Sequence, residues 1–183
     1  MKRILLISLL ATLQLLSSCV RHYTPQSSWE KEEYLKSNFK VHPQDIRQDL
    51  QRWRSVPLAW VGVIQETEFY ETEDRYEVIL LMEHHYFDWK EENFDPNKMF
   101  YPSSGGEGLF QTTWYLKKSA DLTYFQNRFA PGNLAIVYAQ PDTVINEVVV
   151  VECRYLRIIE HQNFHLDQSD YIPAEVLARP KNR

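Results

Sequence analysis

The sequence predicts an all-β domain with a minor helix, on two observations. Runs rich in Val, Ile and aromatic residues, typical of strands, occur at 58–69, 75–87, 109–116, 134–139 and 144–159. One stretch with helical spacing, Leu122, Phe125 and Phe129, falls between the third and fourth runs. The predicted order is therefore β-β-β-α-β-β.

This order is that of a five-stranded OB-like barrel. Gly62 lies inside the first strand, where a glycine often marks a bulge or a bend. The fourth run ends at Ala139 and the fifth begins at Val144, so residues 140–143 are expected to connect the last two strands. A helix should precede the barrel, because Pro43 suits a first helical turn and apolar residues recur at helical spacing up to Trp53.

The amino terminus has the organisation of a signal peptide: Lys2 and Arg3, a mainly apolar segment of 13 residues, and then small residues. A permanent membrane span needs about 20 apolar residues, so a retained anchor helix is disfavoured. The stretch 16–19, Leu-Ser-Ser-Cys, resembles the lipobox of bacterial lipoproteins. That resemblance implies lipid attachment at Cys19 and cleavage before it. An ordinary secretory signal is the alternative.

A triacylated Cys19 would hold the protein on a bilayer without spanning it, because two or more acyl chains give stable anchoring. Residue 20 is Val. In enterobacterial lipoproteins an Asp at this position retains the protein in the inner membrane, so the resemblance implies the outer membrane. The predicted organisation is a signal peptide (1–18), a lipidated tether (19–41), a helix plus barrel domain (42–160) and a polar C-terminal tail (161–183).

Composition limits the classes of function. Removing residues 1–18 leaves 165 residues, enough for one domain, and changes the formal charge from −5 to −7 because Lys2 and Arg3 are lost. A negative surface argues against nucleic acid as a partner. With Cys19 modified, Cys153 has no partner for an intramolecular disulfide. Its strand-like surroundings predict a small apolar role for Cys153.

Several short motifs together carry a family resemblance. Their order resembles that of the Slp family of outer-membrane lipoproteins: WVGVI (60–64), GEGLFQ (106–111), Asp121, FAPGNLAIVYA (129–139) and CRYLRII (153–159). The family usually has Arg where this chain has Leu109. The resemblance implies an envelope lipoprotein linked to starvation and stress, with no agreed enzymatic activity.

Three histidine or acidic groups are candidates for metal ligands. Adjacent residues on a strand point to opposite faces, so His84 and His85 should not share an ion. The acidic loop 88–99 lacks the alternation of an EF-hand. His161 and His165 lack the glutamate of a metalloprotease motif. The sequence therefore predicts no metal site and no cofactor.

The preferred interpretation is a non-enzymatic structural or interaction module of the envelope, with an envelope protein as the candidate partner. The first alternative is a glycan-binding or other ligand-binding OB-fold, with the ligand stacked on Tyr86, Trp89 or Trp114. A metal-dependent enzyme using loop 84–97 is the second alternative. Exposure of the three aromatic residues on one open face would favour the ligand-binding alternative.

Overall fold

Five strands form the barrel in the computed structural model, which describes residues 23–89, 99–168 and 171–179. The strands are β1 (Leu58–Glu71), β2 (Arg75–His85), β3 (Leu109–Lys117), β4 (Leu134–Ile145) and β5 (Val148–Ile159). Their order around the closed barrel is β1-β2-β3-β5-β4. The pairing of β3 with β5 is parallel, and the other four pairings are antiparallel. The predicted all-β, OB-like barrel is confirmed.

Short helices surround the barrel. They are α1 (Ser28–Lys36), α2 (Pro43–Gln48), α3 (Leu50–Trp53), α4 (Leu122–Arg128) and α5 (Ala174–Leu177), with a 3-10 turn at His161–Asn163. The single helix predicted up to Trp53 is divided at Asp49, which has φ −152° and ψ 76°. The Asp49 carboxylate accepts a hydrogen bond of 3.1 Å from the Arg52 amide and so caps α3.

Every second side chain along the strands points inward, and these side chains fill the barrel interior. Val78, Leu80 and Met82 of β2 are fully buried there, next to Trp60 and Phe110. Ile79 and Leu81 point to the outside and are only half-buried.

Gly62 makes room for an aromatic ring in this interior. A Cβ at this position would lie 2.7 Å from Cε1 of Phe110. The bulge expected at Gly62 lies slightly further along β1, where the register with β2 shifts between Ile64 and Glu66. Gly62 therefore serves close packing rather than the bulge itself.

The β4–β5 hairpin differs from the prediction. Residues 140–145 extend β4, and a two-residue turn at Asn146 and Glu147 follows, with φ values of 49° and 68°. Both values are left-handed, as a type I′ hairpin turn requires. Pro141 is tolerated in β4 because β1 pairs with β4 only as far as Ala139, and the register with β5 shifts between Pro141 and Thr143.

Both terminal segments pack on the barrel. Tyr23 and Phe164 are buried against the outward-facing side chains of β1 and β4, including Ala59, Ile136 and Tyr138. Residues of the expected tether 19–41, Tyr23 among them, therefore already pack on the barrel. Residues 161–168 of the expected loose tail pair with 100–103 through isolated bridges. The terminal segments cover an apolar outer surface that the strands alone would leave in water.

Candidate functional site

The three aromatic residues predicted as a ligand face lie in different surroundings. Tyr86 is 5% exposed, and its hydroxyl donates a hydrogen bond of 2.8 Å to Glu107. Trp89 is 9% exposed and packs edge-on against Tyr23. Trp114 is half-buried and packs against the core inside the barrel. These three side chains do not lie together on one exposed surface.

The adjacent histidines lie on opposite sides of β2, as predicted. His84 is buried and its ring contacts those of His42 and Trp60. The Nδ1 atom of His85 lies 2.9 Å from the Ser103 carbonyl oxygen. Within residues 23–89, 99–168 and 171–179, no group of three or more His, Cys, Asp or Glu residues could hold a metal ion. Most of the acidic loop, residues 90–98, lies outside the described residues, as does Cys19.

Cys153 is a poor nucleophile in this structure. Burial raises the pKa of its thiol to about 12, so the reactive thiolate is scarce at neutral pH. Its Sγ atom lies 3.4 Å from the Tyr155 carbonyl oxygen. Cys153 is partly buried and packs against the barrel core, which agrees with its predicted role as a small apolar residue.

A buried polar cluster fixes the amino-terminal segment. Glu30 of α1 is fully buried, and it accepts hydrogen bonds from the hydroxyls of Tyr23 and Tyr138 and from the Gln26 amide. The guanidinium of Arg157 lies 3.6 Å from the same carboxylate. Burial raises the pKa of both tyrosines, so they remain donors. We call Tyr23, Glu30, Tyr138 and Arg157 the N-terminal clasp.

A second cluster fixes the carboxyl-terminal segment. Arg179, which follows α5, forms ion pairs with Glu107 and, at 2.6 Å, with Asp45. The other oxygen of Glu107 accepts a hydrogen bond of 2.8 Å from the Gln44 amide. We call Asp45, Glu107 and Arg179 the C-terminal clasp. In both clasps the buried carboxylate is occupied by structural partners rather than presented to a substrate.

His42 and His84 lie beside the C-terminal clasp. Burial lowers the pKa of His42, and it lowers that of His84 well below the ordinary value. Among the described residues, neither ring nitrogen of His42 has a hydrogen-bond partner. His84 accepts a bond of 3.3 Å from the Glu107 amide. Both rings are therefore held neutral as packing groups.

The outside of β1, β2 and β3 is a different kind of surface. Tyr70 of β1 pairs with Glu77 of β2, which pairs with Tyr115 of β3, so both tyrosines flank one carboxylate. Tyr70 and Tyr115 are about half exposed. Three apolar residues continue the same surface: Ile79, Leu81 and Leu109. We call Tyr70, Glu77, Ile79, Leu81, Leu109 and Tyr115 the open face.

The open face was missed as a site in the sequence, although a signal was present. The run 78–82 (VILLM) is apolar on both faces of a strand, whereas a strand with one solvated face alternates. The covered outer surface of β1 and β4 has the same signal in 134–138 (LAIVY). The sequence pattern alone does not tell which of the two surfaces is covered.

A polar cleft lies at the end of the barrel beside α4. It has a volume of about 490 Å³ and is lined by Tyr124, Asn127, Arg128, Asn133, Glu160, His161 and Gln162. The Asn133 side chain is engaged, since it donates to the Arg128 carbonyl and accepts from the His161 amide. The cleft is thus lined by groups that also hold α4 and the 3-10 turn in place.

No family model, curated protein or solved structure matches this chain. Across the described part of the chain, none of the helices has the length and apolar character needed to cross a bilayer.

Proposed function

We propose that this chain is a lipid-anchored outer-membrane protein that acts as a non-enzymatic interaction module of the bacterial envelope. The observation that carries the proposal is the asymmetry of the barrel surface. The outside of β1 and β4 is covered by the terminal segments around Tyr23 and Phe164. The open face combines apolar and aromatic side chains with Glu77. Among the described residues no terminal segment packs over it, and Tyr70, Leu109 and Tyr115 are more than one-third exposed, although the Arg75 guanidinium lies 4.2 Å from the centroid of the Tyr115 ring.

The chemistry of the open face suits a protein partner. The centres of protein interfaces are enriched in aromatic residues such as tyrosine and are more apolar than the rim, which is polar. Here Leu81 and Leu109 adjoin the exposed carboxylates Glu66 and Glu83, which pair with them across the strands. A partner with an apolar patch and basic groups at its edge would match this surface.

The amino terminus supports the anchoring part of the proposal. The stretch that resembles a lipobox ends at Cys19, and Tyr23 is already fixed on the barrel by the N-terminal clasp. A lipid on Cys19 would therefore hold the barrel close to the membrane rather than at the end of a long tether. The Slp resemblance extends the proposal to a role in starvation and stress.

The test is crosslinking in cells with a photoreactive residue at position 115 of tagged protein, followed by mass spectrometry. The matched control carries the same residue at position 145, which is also about half exposed but lies at the hairpin tip. One abundant envelope protein captured from position 115, and lost in Cys19→Ala, supports the proposal. Recovery of the protein alone from both positions contradicts it.

Glycan binding at the open face is the second candidate. The observation that favours it is the pair of exposed rings, Tyr70 and Tyr115, on either side of Glu77. OB-folds bind oligosaccharides on the face of strands two and three. Calorimetric titration with peptidoglycan fragments tests it: binding that is lost in Tyr115→Ala and kept in Trp114→Phe supports this candidate, and no heat with wild-type protein rejects it.

A further inference from the structure

We propose that helix α1 lies on the membrane surface and that Trp29 enters the lipid headgroup region. The inference rests on the proposed lipid anchor at Cys19. It adds an orientation of the barrel, with the surface that carries α1 toward the bilayer. It also names the side chains that contact lipid, Trp29 and Leu35.

The short connection to the anchor brings α1 to the membrane. Only four residue steps separate Cys19 from Tyr23, which is at most about 14 Å of extended chain. Tyr23 cannot move away from the barrel without breaking its hydrogen bonds to Glu30 and Arg157. Since Glu30 belongs to α1, and the Tyr23 and Tyr34 rings are 5.5 Å apart, the described residue nearest the proposed anchor lies beside α1.

The solvent side of α1 carries apolar side chains where a free helix would carry polar ones. Trp29 is 73% exposed and Leu35 is 72% exposed, the two highest values for large apolar side chains in the described part of the chain. The contacts of α1 with the barrel include those of Glu30 and Tyr34, on the opposite side of the helix. Tryptophan is enriched at membrane interfaces, where its ring is buried and its N–H reaches polar groups.

The charges on this side of α1 are compatible with lipid. Lys36 pairs with Glu32 at 2.6 Å and with Glu33 at 3.5 Å, and Lys31 is exposed beside them. Two lysines and two glutamates leave this side without net charge, although the mature chain is acidic. Lysine side chains can also extend along an apolar surface toward phosphates. Lipid phosphates would therefore not repel the helix.

The test measures tryptophan quenching by lipids with brominated acyl chains. Lipidated protein is extracted from cells, and the mass of its N-terminal peptide is measured by mass spectrometry to establish whether Cys19 is acylated. The intact protein is then reconstituted into phosphatidylethanolamine–phosphatidylglycerol vesicles whose acyl chains are either brominated or not. Trp29 is a good reporter, since Trp60 and Trp89 are buried and Trp53 and Trp114 are half-buried. We expect the quenched fraction to fall at least twofold in Trp29→Phe.

A matched variant moves the reporter. In the double variant W29F/I145W an exposed tryptophan is placed at the β4–β5 hairpin, about 20 Å further along the strand from the Tyr138–Tyr155 pair. Quenching should not return in it. Leu35→Glu, which keeps Trp29, should lower the quenching without detaching the protein from vesicles.

The outcomes separate this inference from the proposed function. If Cys19 carries acyl groups and wild-type protein is quenched no more than Trp29→Phe, α1 does not contact lipid and the lipoprotein proposal stands. Quenching in W29F/I145W equal to that of the wild-type protein would also overturn the proposed orientation. If Cys19 carries no acyl group, the proposed function fails and this inference fails with it.

Discussion

The guanidinium of Arg157 donates a hydrogen bond of 2.6 Å to the hydroxyl of Tyr23, joining the last barrel strand to the first residue that the structure describes. Both groups also meet the fully buried carboxylate of Glu30. The amino-terminal segment is thus held by a buried ionic group in addition to apolar packing. Such a group stabilises the fold only while all of its members are present.

Removing Glu30 should therefore be costly. In Glu30→Ala the buried guanidinium of Arg157 loses its counter-ion, and we expect a loss of about 3–5 kcal/mol in the free energy of unfolding. Urea denaturation measures the loss, and hydrogen exchange of α1 shows whether this helix detaches first. The control is Glu32→Ala on the exposed side of α1, which should change nothing measurable. Equal stability of the two variants would show that the clasp does not hold the segment.

The C-terminal clasp offers a second test. Arg179 is largely buried between Asp45 and Glu107, and Arg179→Ala leaves the Glu107 carboxylate short of a partner. We expect a loss of about 1–3 kcal/mol in urea. The control is Arg54→Ala, because Arg54 pairs with Asp142 at 3.7 Å with both side chains more than half exposed. Such a pair contributes little, so an equal effect of the two substitutions would contradict the prediction.

Stability should fall as the pH drops below about 6.5. Burial lowers the pKa of His42, His84 and His85 in the folded protein, while in the unfolded chain histidine titrates near 6.5. The unfolded state therefore binds more protons just below pH 6.5, and the folded state loses stability as the pH falls. Urea midpoints measured from pH 7.5 to 5.5 should decrease.

A substitution at His42 identifies the source of this pH dependence. His42→Phe removes a titrating group whose side chain makes no hydrogen bond to the described part of the chain, and it keeps the ring contacts with His84 and Tyr86. His42→Phe should make the decrease of the urea midpoint with falling pH smaller, whereas substitution of the exposed His161 by Gln should leave that decrease as it is. A midpoint that stays constant or rises toward pH 5.5 in the wild type would contradict the assignment.

Gly105 and Gly106, which precede β3, differ sharply in the space that each leaves for a side chain. A Cβ on Gly106 would lie 1.6 Å from the carbonyl oxygen of His84, whereas a Cβ on Gly105 would meet its nearest atom, Oγ of Ser103, at 3.5 Å. Because the clash at Gly106 is with backbone, Gly106→Ala should cost about 3 kcal/mol or more, at the upper end for overpacking. Gly105→Ala should be nearly neutral by thermal denaturation. Similar melting temperatures for both variants would show that the 105–107 segment moves freely.

These cases show how far the sequence predicts the structure. The strand order followed from β-rich runs and one helical spacing, since these patterns are local. The SSGGEG stretch has the composition of a flexible turn, because a glycine required by close packing looks the same in sequence as one in a loop. The contact between Glu30 and Tyr138 joins residues 108 positions apart, and nothing local encodes it. Burial of Tyr86 and Trp89 depends on the same long-range packing.

The open face should separate binding from stability. Leu109 and Tyr115 are more than one-third exposed, so Leu109→Glu and Tyr115→Glu should change the free energy of unfolding by about 0.5 kcal/mol or less. Because each places a new charge in the proposed interface, capture of the envelope partner should fall at least tenfold, which corresponds to the loss of about 1.4 kcal/mol or more of binding free energy in each variant. The control is Ile145→Glu at the hairpin tip, which should leave capture unchanged. Loss of capture in all three variants would point to a general effect of added negative charge, and unchanged capture in the first two would place the partner on another surface.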